Sequence, residues 1–175
     1  MEKVIIVDEN DNFVRICERD KWEEGEIHRS SALWVSNSNG EVLLAQRALT
    51  KKHAPGKWGP AAAGTVNENE SYESNVQKEA KEELNLDVRS EQLELGNKEI
   101  VGKPSNRRMR QWFMAKIDIS LEALRPQEEE VAAVRWVHWS KLEKELVEVP
   151  DEFVGANPQI FSELIQWTKR SNLVP

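Results

Sequence analysis

Gly64-Thr-Val-Asn-Glu-Asn-Glu70-Ser-Tyr-Glu-Ser-Asn-Val-Gln-Lys78-Glu79-Ala-Lys-Glu82-Glu83-Leu-Asn85-Leu86 is the stretch that decides how this 175-residue chain reads. Apolar residues recur at Tyr72, Val76, Ala80 and Leu84, which the helical period stacks into one stripe of a helix over 71–84. On the same wheel Glu83 falls inside the stripe, Glu79 at its edge and Glu82 beyond it, while Lys78 and Lys81 point to the far side. An acidic run is ordinarily a solvated face. Here Glu79–Glu82 and Glu79–Glu83 are like-charge pairs at i,i+3 and i,i+4, each costing about 0.2–0.5 kcal/mol. They also stand in the last turn, at the negative end of the helix dipole. Such a stack of penalties calls for a cation. Hard oxygen donors at helical spacing, with no His or Cys among them, suit Mg²⁺ or Mn²⁺.

Outward from this helix the chain alternates strands and turns. Val4–Val7 and Phe13–Ile16 predict a hairpin around the polar turn 8–12, and Ala32–Val35 with Val42–Ala45 a second around Asn37-Ser38-Asn39-Gly40. Pro55-Gly56, Gly59-Pro60 and Gly64 make residues 50–64 read as a loop. Strands are expected at about 93–101, 111–119 and 133–137, with a basic turn at 103–108 between the first two. Helices are expected at 140–147 and 157–170, the second started by Asn157-Pro158. The pattern predicts a mixed sheet packed between helices.

Composition bounds the function. The chain carries 31 Asp+Glu against 24 Lys+Arg, a formal charge of −7. That balance argues against a nucleic-acid polymer or an anionic membrane as partner. The one cysteine, Cys17, excludes an intramolecular disulfide and a Cys-cluster metal site. No apolar run approaches the roughly 20 residues that span a bilayer, and the acidic N-terminus does not resemble a signal peptide. A cytoplasmic protein is the expectation. Length suits one domain over 1–175, with residues 1–29 as an N-terminal hairpin extension and 30–175 as the core. A homodimer is left open.

At the quoted residues the chain resembles the Nudix hydrolases. Gly64, Glu70, Lys78-Glu79, Ala80, Glu82-Glu83, Asn85 and Leu86 stand in the order and spacing of that family's signature. Two positions depart: Lys78 stands where the family usually has Arg, and Asn85 where Gly ends the helix. Lys keeps the charge and loses the planar fork; Asn is the next-best residue for a left-handed helix stop. The resemblance implies an α/β (α+β) fold, a Nudix-type α/β/α sandwich with a mixed central sheet. It implies a small-molecule diphosphate substrate, a nucleoside diphosphate derivative or another X-linked diphosphate, attacked by water with Mg²⁺ (or Mn²⁺) held by Glu79, Glu82 and Glu83. It gives Gly64 the part of letting a loop turn close to the diphosphate. Glu70 would support that loop or be simply a dipole-favoured acid at a helix start. Lys78 would hold Glu70 or a neighbouring loop carboxylate. The general base is not fixed in the family; Glu128 and Glu130, before the strand ending in Trp136, are candidates besides the signature glutamates.

A second resemblance covers Ile27-His28-Arg29, Gln46-Arg47 and Pro55-Gly56-Lys57-Trp58, which are similar in order to the type I isopentenyl-diphosphate isomerases. That family needs a cysteine just before the signature glycine and a metal-binding histidine just after it. This chain has Ala63 and Thr65 there, so the resemblance implies an isomerase-like hydrolase that is not an isomerase. An isomerase-like enzyme and a non-catalytic ligand-binding module are the alternatives. His28 matches an isomerase metal ligand without its partner, so a structural role is expected. Arg47, Lys57 and Arg110 are candidate diphosphate clamps, and Trp58 a candidate stacking platform.

Overall fold

The computed structural model describes residues 2–155 and 158–173. Its spine is β3 (Ile27–Ser36), a strand whose residues are buried on both faces except at Arg29. Along one edge β3 pairs in parallel with β8 (Arg107–Lys116) over its whole length, from Ile27↔Arg107 to Ser36↔Lys116. Along the other edge it meets three partners in turn: β1 (Lys3–Val7), then β6 (Ala62–Thr65), then β4 (Glu41–Arg47). β2 (Phe13–Glu18) closes the first hairpin on β1, and β7 (Glu94–Val101) pairs with β8. β5 (Trp58–Gly59) and β9 (Val131–His138) pair with β4. The expected mixed sheet is present, and the first hairpin is part of it.

Three sequence expectations are corrected. β3 and β4 form a hairpin only at Val35↔Leu43 and Ser36↔Val42, because further along β6 takes the place beside β3 and β5 the place beside β4. Residues 50–64, read as a loop, contain β5 and most of β6; these strands are too short to show alternation between their Gly and Pro residues. The basic turn at 103–108 ends at Asn106 as a short 3-10 turn over Pro104–Asn106, for Arg107 and Arg108 open β8. Their backbones are held by ten consecutive pairings with β3, a long-range constraint invisible to local turn signals.

Helices cover both faces. α1 (Tyr72–Leu84) buries Val76, Ala80 and Leu84 against Leu33, Val35, Phe113 and Ala115. Ser71 and Ser74 cap its start reciprocally, and Asn85 ends it in the left-handed region at φ 54°, the stop its side chain tolerates. On the opposite face α2 (Trp139–Glu148) and α3 (Pro158–Ser171) pack Leu142, Phe161, Leu164 and Trp167 on Trp34, Trp112 and Met114. Trp34 is fully buried, and its indole N–H donates to Thr168 Oγ1 at 3.0 Å. Asn157, expected to start α3, lies outside the described residues. The outcome is an α/β/α sandwich. No helix among the described residues is long and apolar enough to cross a membrane.

Candidate active site

β6 and α1 build the site between them. Alternation along β6 turns Gly64 toward α1, where the Glu79 side chain lies against it. A Cβ at position 64 would stand 2.1 Å from Glu79 Cδ, so no other residue leaves room for that carboxylate. Gly64 thus sits in a strand rather than at a loop turn, and the space it leaves is for a side chain of α1. One turn further along the helix, Glu83 Oε2 accepts from the Ala63 N–H at 3.3 Å. Glu82 is exposed.

Burial pushes the Glu83 carboxyl up to about 8, with Glu79 and Glu130 adding repulsion. Burial also raises Glu79, helped by Glu82 and opposed by Lys78. Each cause is the cost of a desolvated negative charge beside others of its sign.

A positioning network surrounds the pair. Lys78 Nζ donates to Glu70 Oε1 at 2.7 Å and lies 3.5 Å from Glu79 Oε1. Burial disfavours the charged form of Glu70, yet Lys78, the Asn67 N–H and Asn75 outweigh it and hold its pKa below the ordinary value. Asn75 escaped the sequence reading. It is fully buried, and its Nδ2 lies 2.9 Å from Thr65 O and from Glu70 Oε2 and 3.3 Å from Glu79 Oε1. Its Oδ1 accepts from Ser31 Oγ at 2.5 Å. The available signal was position: an amide beside Val76, one turn before Glu79, on the face that is buried.

Other candidates divide into those near the carboxylates and those apart. Glu130 ion-pairs with Lys51 at 2.5 Å and acts electrostatically on Glu83. The Arg47 charge also reaches Glu83, and it reaches Arg108 and Arg110 on β8. Burial lowers Arg110 to about 10, with Arg108 and Arg47 contributing. Trp58 is half-buried, and the Arg135 guanidinium covers one of its faces, 4.3 Å from a ring centroid. Lys57 precedes Trp58, and among the described residues no ion pair joins it to the carboxylates. Glu128 lies in the exposed turn before Glu130. His28 is buried and stacked on Trp22, with ring centroids 4.3 Å apart. Burial, then Arg108 and Arg19, lower it to about 3, so it is a neutral imidazole. Cys17 packs with Val4, Ile6 and Trp22 in a separate cluster.

Among the described residues no three His, Cys, Asp or Glu side chains enclose a common point. The donor chemistry nevertheless fits a hard divalent ion. Glu79 and Glu83 present oxygen donors from one helix face, and their raised pKa values mark a repulsion that a cation would relieve.

Comparison with known proteins agrees with this architecture. A family model described as the NUDIX domain matches residues 26–156. An uncharacterized Nudix hydrolase of Pseudomonas aeruginosa is 32% identical over 137 residues, 78% of each chain. An isopentenyl-diphosphate Delta-isomerase of Burkholderia multivorans is 36% identical over 84 residues; that match spans 47% of this chain and 48% of the isomerase. The crystal structure of DR0079 from Deinococcus radiodurans superposes with a TM-score of 0.70 at 18% identity, over 97% of this chain and 98% of that one, a likeness of fold. The NUDIX match across most of the chain, with a Nudix hydrolase relative 32% identical over 78% of each chain, means that the chain belongs to the Nudix hydrolase family.

Proposed function

We propose that the chain is a divalent-metal-dependent hydrolase that cleaves the diphosphate linkage of a nucleoside diphosphate derivative or a related X-linked diphosphate. The observation that carries this reading is the Glu79–Glu83 pair, desolvated, repelling and seated against β6 at Gly64 and Ala63. Glu79 and Glu83 would hold the ion, Mg²⁺ or Mn²⁺, with Glu82 as a further donor from the exposed side of α1. When bound, such an ion neutralises phosphate oxygens and acidifies a water. Lys78, through Glu70, positions the segment between β6 and α1. Arg47, Lys57 and Arg110 bind phosphate oxygens, and Trp58 offers its free face to the organic part of the substrate. Glu130, fixed by Lys51, accepts the proton of the attacking water. The protein acts in the cytoplasm on small molecules.

The isomerase reading is weaker because a methyl group stands at Ala63, where a proton carrier is needed. A substrate panel with Mg²⁺ or with chelator separates the readings. Metal-dependent release of phosphate or a nucleoside monophosphate, abolished in Glu83→Gln, supports hydrolysis. Interconversion of isopentenyl and dimethylallyl diphosphate would overturn it. Ligand binding without turnover on any diphosphate would favour a binding module.

A further inference from the structure

Three buried polar atoms without a hydrogen-bond partner among the described residues fall on one patch of the sheet: Nδ1 of His28 and Oγ of Ser30 on β3, and Nε of Arg108 on β8. In the parallel register His28 lies beside Arg108 and Ser30 beside Arg110. Alternation puts these four side chains on the face that carries Ala32, Trp34 and Trp112 further along. His28 is 1% exposed and Ser30 5%. A buried polar group left without a hydrogen bond costs about 1–3 kcal/mol. Packing alone does not gather three of them at adjacent positions.

The charge of the patch is unbalanced as well. Arg108 forms no ion pair among the described residues; the Arg47 charge repels it and the Glu99 charge attracts it. Glu99 is shared. Its Oε1 lies 3.6 Å from Arg110 Nη1 and accepts from the Trp112 indole at 2.9 Å. Arg108 and Arg110 therefore share the Glu99 carboxylate in a partly desolvated patch, where an unpaired cation is costly. Arg47 joins this patch to the catalytic carboxylates, because its charge is felt by Arg108, Arg110 and Glu83 alike.

We propose that this patch is a second anion subsite, beside the diphosphate-binding Arg110, in which Arg108 binds and Ser30 donates to a phosphate or carboxylate carried by the substrate beyond its scissile diphosphate. The inference rests on the hydrolase reading for the identity of the reacting end, and it narrows the substrate class. The preferred substrate is a diphosphate whose non-reacting part bears its own anion, such as a dinucleotide or nucleotide conjugate with an additional phosphomonoester. An apolar chain in the same place would leave the Arg108 guanidinium desolvated and unpaired.

Two measurements test this. In the first, inorganic phosphate is titrated calorimetrically into metal-free protein in the presence of chelator, which needs no catalysis. Wild type should bind it saturably, and Arg108→Gln and Ser30→Ala should each weaken binding, the former at least tenfold. Arg108→Lys keeps the charge and should retain part of the affinity, which separates loss of the subsite from loss of the fold. In the second, kcat/KM with Mg²⁺ is compared within three matched pairs: NADPH and NADH, ADP-ribose 2′-phosphate and ADP-ribose, coenzyme A and dephospho-coenzyme A. At least one phosphorylated member should be preferred tenfold or more, and Arg108→Gln should erase that preference. Metal-free phosphate binding that is absent, or indifferent to both substitutions, overturns the subsite. So does cleavage of these diphosphates with no preference in any pair, even while the hydrolase reading stands. Phosphate binding lost in Arg108→Gln but noncompetitive with the diphosphate substrate would mark a site for free phosphate and overturn the substrate assignment. Arg108-dependent phosphate binding in a protein that cleaves no diphosphate would retain the anion site and reject the hydrolase.

Discussion

The carboxyl group of Glu79 occupies the volume that any side chain at position 64 would fill: a Cβ built on Gly64 meets Glu79 Cδ at 2.1 Å and Cγ at 2.5 Å. Strand β6 and helix α1 can approach this closely because one contributes no side chain. Gly64→Ala should force Glu79 away from β6 and weaken metal binding at least tenfold, with a stability loss of about 1–3 kcal/mol from overpacking. Calorimetric Mg²⁺ titration and thermal melts check this. Unchanged metal affinity would remove Glu79 from the metal site.

Lys78 bridges Glu70 and Glu79 from the outer side of α1. Lys78→Ala should lower diphosphatase turnover and cost about 1 kcal/mol of stability, since Glu70 keeps its bonds from Asn67 and Asn75. Lys78→Arg should match or exceed wild type, because a guanidinium reaches the same carboxylate with two donors. Equal turnover in the three proteins at saturating Mg²⁺ would take the lysine out of the mechanism.

Asn75 ties Ser31, Thr65, Glu70 and Glu79 together from a fully buried position. Asn75→Ala strands the Ser31 hydroxyl and the Thr65 carbonyl and should destabilise by about 2–3 kcal/mol. Asn75→Asp adds a negative charge beside two carboxylates and should be worse without metal, with partial rescue by Mg²⁺. Denaturant unfolding with and without the ion measures both. Asp tolerated as well as Asn would contradict the proposed crowding of negative charge.

The pH dependence of metal-free stability has a definite sign. The Glu83 carboxyl rises from an ordinary 4.5 to about 8 in the folded protein, so between those values the folded state holds a proton that the unfolded state has lost. Its stabilisation is complete below 4.5 and is lost as pH climbs through 8. His28 works in the opposite sense. Its pKa falls from 6.5 to about 3, so its contribution is present above 6.5 and lost as pH drops toward 3. Only Glu83 of the two titrates between 6.5 and 8. Melting temperature should fall over that range in chelator, level out in Glu83→Gln, and be raised by Mg²⁺ most at the alkaline end, where the ligand is charged. A flat metal-free profile in wild type would disprove the assignment to Glu83.

Much of this architecture is legible in local chemistry. The spacing of Tyr72, Val76, Ala80 and Leu84 specifies α1, because helical periodicity is a property of neighbours within a few residues, and Asn85 supplies a left-handed stop for the same local reason. The order of glutamates on that helix marks them as belonging together. What depended on the folded chain was the company they keep. Gly64 reads as a turn residue until β6 is seen to pair with β3, and its vacancy is explained only by Glu79, fifteen positions later in the chain. Arg108 reads as part of a basic turn, because no short-range signal reveals the ten-residue pairing of β8 with β3. Asn75 is an unremarked polar residue until burial removes water and leaves four neighbours competing for its amide. Contacts between residues adjacent in sequence follow from local conformational preference, whereas desolvation and charge crowding arise only after distant strands close the sheet and exclude solvent.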